Sequence, residues 1–220
     1  MEKDREFKED YRKDGFKKSS HRIDDISKKK YEEYVIVLDF MARGKQTPSD
    51  RRPSYSKEPI IQSIGTEFFT LLEVVPFRNQ RVSIGEKLFI GRGDRQKKKI
   101  ERIKNRIYFQ DLSSNARFEL PKVIEEIITK NEKKFIDFFN NARPITTRMH
   151  QLELLPGVGK KLMWDLINER KKSPYLDFKD LMSRVKISDP KKLIIKRIIA
   201  EIENEMEKHR IFTRPYKPST

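Results

Sequence analysis

The stretch Leu154-Leu-Pro-Gly-Val-Gly-Lys-Lys161 stands between two segments whose apolar residues recur at helical spacing. A tight turn needs one glycine, yet here two lie one residue apart with two lysines directly behind them. With one helix ending near Leu154 and the next starting near Gly159, the chain must reverse between them. Gly157 can take a positive φ at little steric cost. Gly159 leaves out a side chain where the second helix starts, so another backbone can come close. Val158, between the glycines, is free to plug the turn into a core. The first turn of the new helix offers N–H groups without intrahelical partners, at the positive end of its dipole. Lys160 and Lys161 add charge at the same place. Together these features make a site for phosphate that is indifferent to the base attached.

Leu155-Pro156-Gly157-Val158-Gly159 resembles the helix–hairpin–helix motif, which reads apolar, any residue, Gly, apolar, Gly, and then an amphipathic helix. Met163 stands where that motif often carries a small residue, which implies a looser helix crossing. The later segment "DFKDLMSRVKISDPKKLIIKRII" resembles the partner hairpin of a tandem pair. There Ser188-Asp189-Pro190 replaces the glycines, so that side should pack rather than bind. A P-loop is excluded, because Lys161 and not a hydroxyl follows Gly159-Lys160, and the preceding segment reads as helix rather than strand. DNA glycosylases share the hairpin and place a catalytic aspartate on a later loop. Asp177 lies at a suitable distance, but it reads better as a helix cap with Asp180 three residues on.

Working outward, helices are expected over about 146–154, 159–171, from Asp177 onward, and from Ser188-Asp189-Pro190 to about Lys208. Upstream, Leu120, Val123, Ile124, Ile127, Ile128, Phe135, Phe138 and Phe139 form one stripe at 3.6 spacing, predicting a single helix over 120–142 with Pro121 in its first turn. Arg143-Pro144 ends that stripe. Before it lie segments rich in β-branched and aromatic residues: 34–41 "YVIVLDFM", 68–75 "FFTLLEVV", 86–91 "EKLFIG" and 106–112 "RIYFQDL". Short strands without a long helix between them predict a small antiparallel barrel or sandwich. The fold class expected is therefore α+β. A charged, disordered arm covers 1–31, the small β domain with a C-terminal amphipathic helix 32–143, a tandem helix–hairpin–helix domain 144–208, and an extended basic tail 209–220.

The 220 residues carry a net charge of +16, which draws the protein to polyanions. Cysteine is absent, excluding disulfides, zinc ribbons and cysteine-ligated clusters. Neither a signal peptide nor an apolar run of membrane-spanning length is visible, so a cytoplasmic protein without membrane contact is expected. Residues 79–108 hold ten Lys and Arg against three acids, with Arg95, Lys97, Lys98, Lys99 and Arg102 as candidate contacts and Phe89 and Tyr108 available for stacking. In the tail, Arg214 lies between Phe212 and Tyr216, a pattern that orders on RNA. The three histidines, His21, His150 and His209, are scattered. Asp39, Glu73 and Asp111 lie in or beside expected strands, but nothing in their spacing defines a metal site. No cofactor is implied.

Long phrases in order, "FFTLLEVVP", "RIYFQDLSSNARFELPKVIEEII" and "FIDFFNNARPITTRMHQLELLPGVGKKLMW", are similar to archaeal proteins grouped as domain of unknown function 655, over about residues 32–205. The resemblance implies an OB-type barrel followed by a tandem helix–hairpin–helix module, and a predicted RNA-binding role. The expected function is non-catalytic nucleic-acid binding, with RNA favoured over DNA, in translation or ribosome assembly and with a ribosomal particle as a partner. Its contacts are Gly157, Val158, Gly159, Lys160, Lys161, the basic barrel residues and Arg214. Two alternatives stand beside it: a DNA repair or replication accessory factor, and a metal-dependent nuclease built on the strand carboxylates.

Overall fold

The computed structural model describes residues 31–45, 58–93 and 99–215. These divide into two compact units. One comprises Tyr31–Lys130 together with the chain from Ile195 onward, and the other Asn131–Ile194. The break at Arg143-Pro144 falls inside the second unit.

The first unit is built on β1 (Tyr34–Met41), β2 (Ile60–Gly65), β3 (Leu71–Pro76), β4 (Lys87–Phe89) and β5 (Ile100–Arg106). They form one curled antiparallel sheet in the order β4-β1-β2-β3-β5. One face of it carries the alternating residues Val35, Val37, Ile61, Leu72, Val74, Leu88 and Ile100, which pack into one core. Helix α1 (Ser114–Lys130) lies against β1 and β2. It starts at Ser113, whose Oγ accepts the Ala116 N–H at 3.0 Å. Pro121 consequently sits inside the helix rather than in its first turn, and has no N–H for the ladder.

Two strand expectations need correction. β2 was not among the segments expected as strands, because Gln62-Ser63 interrupts its apolar run. The strand expected at 106–112 lies earlier, at Ile100–Arg106, and Phe109–Asp111 forms a 3-10 turn instead. β5 is an edge strand whose residues Glu101 to Asn105 are all exposed, so Glu101, Arg102, Lys104 and Asn105 read as a charged loop.

A bulge at Leu38 shifts the phase of β1 and places Asp39 beside Gln62, which is itself paired with Glu73, and Glu73 with Asn105. This makes a polar row across four strands. Gln62 Nε2 donates to Glu73 at 3.3 Å and to the Asp111 carbonyl at 2.9 Å. The Ser113 N–H donates back to Gln62 Oε1 at 2.8 Å, and Ser113 Oγ to Asp39 at 2.6 Å. Lys45 pairs with Glu73 at 2.6 Å. The strand carboxylates are thus spent on hydrogen bonds and one ion pair. Among the described residues no group of His, Cys, Asp and Glu is arranged to hold a metal ion.

The turn after β2 is held by Glu32, whose carboxylate accepts the N–H groups of Glu67, Phe68 and Thr70 at 2.9, 3.1 and 3.1 Å. A Cβ on Gly65 would lie 2.0 Å from Glu32 Cδ. Gly65→Ala should therefore expel the carboxylate and cost about 2 kcal/mol. In the Glu32→Ala background the same change should cost almost nothing. Urea denaturation of the four proteins in this cycle tests the point, and additive losses would refute it.

The second unit holds α2 (Glu132–Asn141), a short hairpin of β6 (Pro144–Thr146) and β7 (Met149–His150), a 3-10 turn Gln151–Leu154, α3 (Lys160–Lys172) and α4 (Phe178–Arg184). Helix α5 (Pro190–Glu203) begins in this unit and ends in the first. The stripe expected as one helix over 120–142 is interrupted at Asn131, whose backbone leaves the helical region at φ −124°, ψ 36°. One residue out of helical conformation leaves the apolar phase almost unchanged, so the pattern does not reveal the break. The helix expected over 146–154 is the β6–β7 hairpin and the 3-10 turn. Met149, Leu152 and Leu155 recur every three residues, a spacing that fits a 3-10 turn better than an α-helix.

The tail from His209 is expected to be extended; its described part, 209–215, is folded back instead, and 216–220 lie outside the described residues. Glu201 of α5 is fully buried. Its carboxylate accepts the N–H groups of Ile211, Phe212 and Thr213 at 2.8, 3.1 and 2.9 Å, the Thr213 hydroxyl at 2.9 Å, and Arg197 Nε at 2.9 Å. Arg106 of β5 donates to the carbonyls of Arg214 and Pro215 at 2.7 and 3.2 Å.

Candidate functional site

The Leu155–Gly159 turn is assembled from its flanks. His150 is buried, and its Nδ1 accepts the Leu152 N–H at 3.1 Å. The His150 N–H donates to Glu153 at 2.8 Å, closing a capping box on the 3-10 turn. Burial, reinforced by Arg170, pushes His150 down to about 4, so the imidazole is neutral at physiological pH. The turn then closes with the Val158 N–H on the Leu155 carbonyl at 3.1 Å. Gly157 has φ +89°, a conformation that disfavours any side chain, and Val158 is buried.

Gly159 is the N-cap of α3, with φ −85° and no side-chain hydrogen bond capping the helix. A Cβ built there would meet nothing within 4 Å. Its glycine is therefore not required by the protein's own packing or by backbone conformation. In the same unit α2 also starts, at Asn131, without a side-chain cap, whereas α4 and α5 differ. Asp177 Oδ1 accepts the Asp180 N–H of α4 at 2.7 Å, and Asp189 Oδ1 accepts the Lys192 N–H of α5 at 3.1 Å. Those helix starts are closed by the protein's own carboxylates.

The two lysines of the turn have different roles. Lys160 reaches back, donating to the Arg148 carbonyl at 2.6 Å and to Glu153 at 2.9 Å, so it ties the β6–β7 hairpin to the start of α3. Lys161 is exposed. Among the barrel candidates, Lys99 pairs with Glu86 at 2.6 Å and Arg102 with Glu58 at 2.6 Å. Arg95, Lys97 and Lys98 lie outside the described residues. Arg214 lies with its guanidinium 3.4 Å over the Phe68 ring, and its carbonyl accepts a hydrogen bond from Arg106. Phe89 packs on Tyr34 with ring centroids 5.3 Å apart, and Lys87 sits 4.2 Å over the other partner, the Tyr34 ring. The hairpin residues Gly157 to Lys161 are brought together by their own segment. Composition gave no signal for Arg148, Glu153 or His150 as their supports.

These features define an α+β protein in which a curled five-stranded antiparallel sheet is followed by helices, one of them starting uncapped behind a two-glycine turn. The chain belongs to the family of proteins of unknown function DUF655, whose model matches residues 31–214. It is similar to uncharacterized protein MJ0038 of Methanocaldococcus jannaschii, with 37% identity over 186 residues that cover 84% of this chain and 81% of that one. It is also similar to the crystal structure of Af1531 from Archaeoglobus fulgidus, of the same family, at 49% identity and a TM-score of 0.76. That match covers 83% of this chain and 100% of the other. Both relatives are archaeal. Among the described residues no helix is long and apolar enough to cross a membrane.

Proposed function

We propose that this protein binds nucleic acid without transforming it, RNA in preference to DNA, and holds a backbone phosphate at the start of α3. In this reading Leu155–Gly159 is a helix–hairpin–helix turn whose first arm is reduced to a 3-10 turn, and the curled sheet is an open barrel of OB type. The observation that carries the reading is the contrast at the helix starts. α4 and α5 are capped by Asp177 and Asp189, while α3 begins at a glycine with open space before it and the exposed Lys161 beside it. An anion is the partner such a start favours, because the N–H groups and the dipole act together. The net charge of +16 favours a polyanion over a small one.

Gly159→Glu tests the site. Its backbone conformation suits any residue and the side chain has room, so circular dichroism and thermal stability should match wild type. Affinity for a stem-loop RNA should fall about tenfold or more, the equivalent of roughly 1–3 kcal/mol for a lost charge-assisted contact. Affinity within twofold of wild type in the folded variant refutes the site. Competition at fixed salt among stem-loop RNA, duplex RNA and duplex DNA tests the preference, and a tenfold win for duplex DNA overturns the choice of RNA. Crosslinking in cells should return RNA of the translation apparatus.

A further inference from the structure

At its β4 edge the sheet carries two aromatic rings that its core does not use. Tyr34 opens β1 and lies opposite Phe89 of β4 in the register. By strand alternation both point away from Val35 and Leu88, which belong to the core. Tyr34 leaves 37% of its surface open, on a strand whose next five residues are buried. The two rings pack at a tilt of 58°. Phe89 is closed in from the chain that follows it. The N–H groups of Ile90 and Gly91 donate to the Glu33 carbonyl at 2.9 and 3.2 Å. A Cβ on Gly91 would lie 2.9 Å from the Phe89 ring, and one on Gly93 3.3 Å from it. Bare backbone therefore passes against Phe89, and the exposed Arg92 between the two glycines borders the aromatic pair.

We propose that Tyr34 is a stacking platform for an unpaired base of single-stranded RNA, with Lys87 and Arg92 taking the adjoining phosphates. The exposed Lys87 holds its ammonium 4.2 Å over the Tyr34 ring. A cation on an exposed ring is a weaker contact than a base stacked on an aromatic side chain. A base therefore displaces the ammonium, which is then free to meet a phosphate. Lys87 and Arg92 outnumber the exposed acid of this edge, Glu33, so charge complementarity favours a polyanion over an apolar partner. A duplex keeps its bases stacked on one another, so the partner is a single strand. The proposal rests on the RNA reading for the identity of the strand, but its residues lie in the sheet unit and not at the α3 turn.

Fluorescence anisotropy with labelled hexauridine and NMR of the tyrosine rings, both on the full chain, test it. Hexauridine should move the Tyr34 ring resonances upfield in wild type and in Gly159→Glu alike, and duplex RNA should not. Affinities are compared in the Gly159→Glu background, where the phosphate site at α3 is blocked, so failure of that site and failure of this surface are read separately. There Tyr34→Leu should lose about tenfold in hexauridine affinity, the worth of one base–aromatic stack, while Tyr34→Phe stays within twofold. Lys87→Gln should lower the slope of log K against log salt by about 0.7, one single-strand phosphate contact. No binding of hexauridine at millimolar concentration overturns the proposal, as does an unmoved Tyr34 ring when hexauridine is bound. A Tyr34→Leu protein with unchanged circular dichroism and affinity within twofold of its parent overturns it too. Self-association that Tyr34→Leu abolishes would also overturn it, by assigning the surface to a second copy of the chain.

Discussion

Replacing Glu201 with alanine should lower the unfolding free energy by about 3–5 kcal/mol, the cost of breaking a buried ion pair and leaving its partner behind. The carboxylate is fully buried and collects five donors, four of them from Ile211, Phe212 and Thr213. Arg197 would keep only Glu207, 3.3 Å away, as an acidic partner. Residues 209–215 would lose their anchor, and with it the Arg210 and Thr213 contacts. Denaturant unfolding gives the energy, and limited proteolysis with mass spectrometry gives the location. Wild type should resist cleavage over 204–213, whereas Glu201→Ala should be cut there first. A loss under about 1 kcal/mol, or equal protection of the segment, would show that the tail is held by something else. Glu201→Gln should fall between the two, since its carbonyl oxygen still accepts two of the bonds.

Acid should weaken the second unit through one residue. His150 is pushed from 6.5 down to about 4 in the folded protein, chiefly by burial and then by Arg170. The unfolded chain therefore takes up its proton first as pH falls. Stability from the neutral imidazole is complete above pH 6.5 and is lost progressively toward pH 4. Over that window the loss should reach about 3 kcal/mol. Protonation also removes the lone pair that accepts the Leu152 N–H, so the 3-10 turn ahead of Gly157 should loosen and phosphate binding should weaken with it. His150→Asn preserves a short capping acceptor and does not titrate. Urea midpoints measured from pH 7 to pH 4 should fall steeply for wild type and much less for His150→Asn. Parallel curves for the two proteins would remove His150 as the cause.

Where local chemistry decides the structure, the sequence is legible. Tyr34–Met41 is a strand with the bounds its β-branched run predicts, and Asp177 and Asp189-Pro190 start helices as caps and first-turn proline require. Gly157 takes the positive φ that its place in the turn implies. Distant partners are not legible. Gln62 looks like a strand breaker until Asp111 and Ser113, far along the chain, supply its hydrogen bonds. Lys160 looks like a phosphate ligand until the Arg148 carbonyl and Glu153 occupy it. Glu201 gives no sign at all, because most of its donors are backbone N–H groups that any residue carries. The same holds for Arg210 and Arg214, whose positions follow from a tail that charge and proline content suggested would be extended.

The order in which the chain is made bears on how it folds. The sheet unit is left at Lys130 and resumed at Ile195, with Asn131–Ile194 contributed whole in between. On the ribosome the intervening segment can complete its own contacts while the sheet still waits for its last pieces. Arg106 meets its acceptors on Arg214 and Pro215 only across 108 and 109 residues of chain. Loop closure of that length places the final zipping of β5 to the tail late and makes it slow. A nascent chain stalled before Ile211 would therefore present a finished helical unit and an unfinished sheet, with the buried carboxylate of Glu201 still seeking its donors.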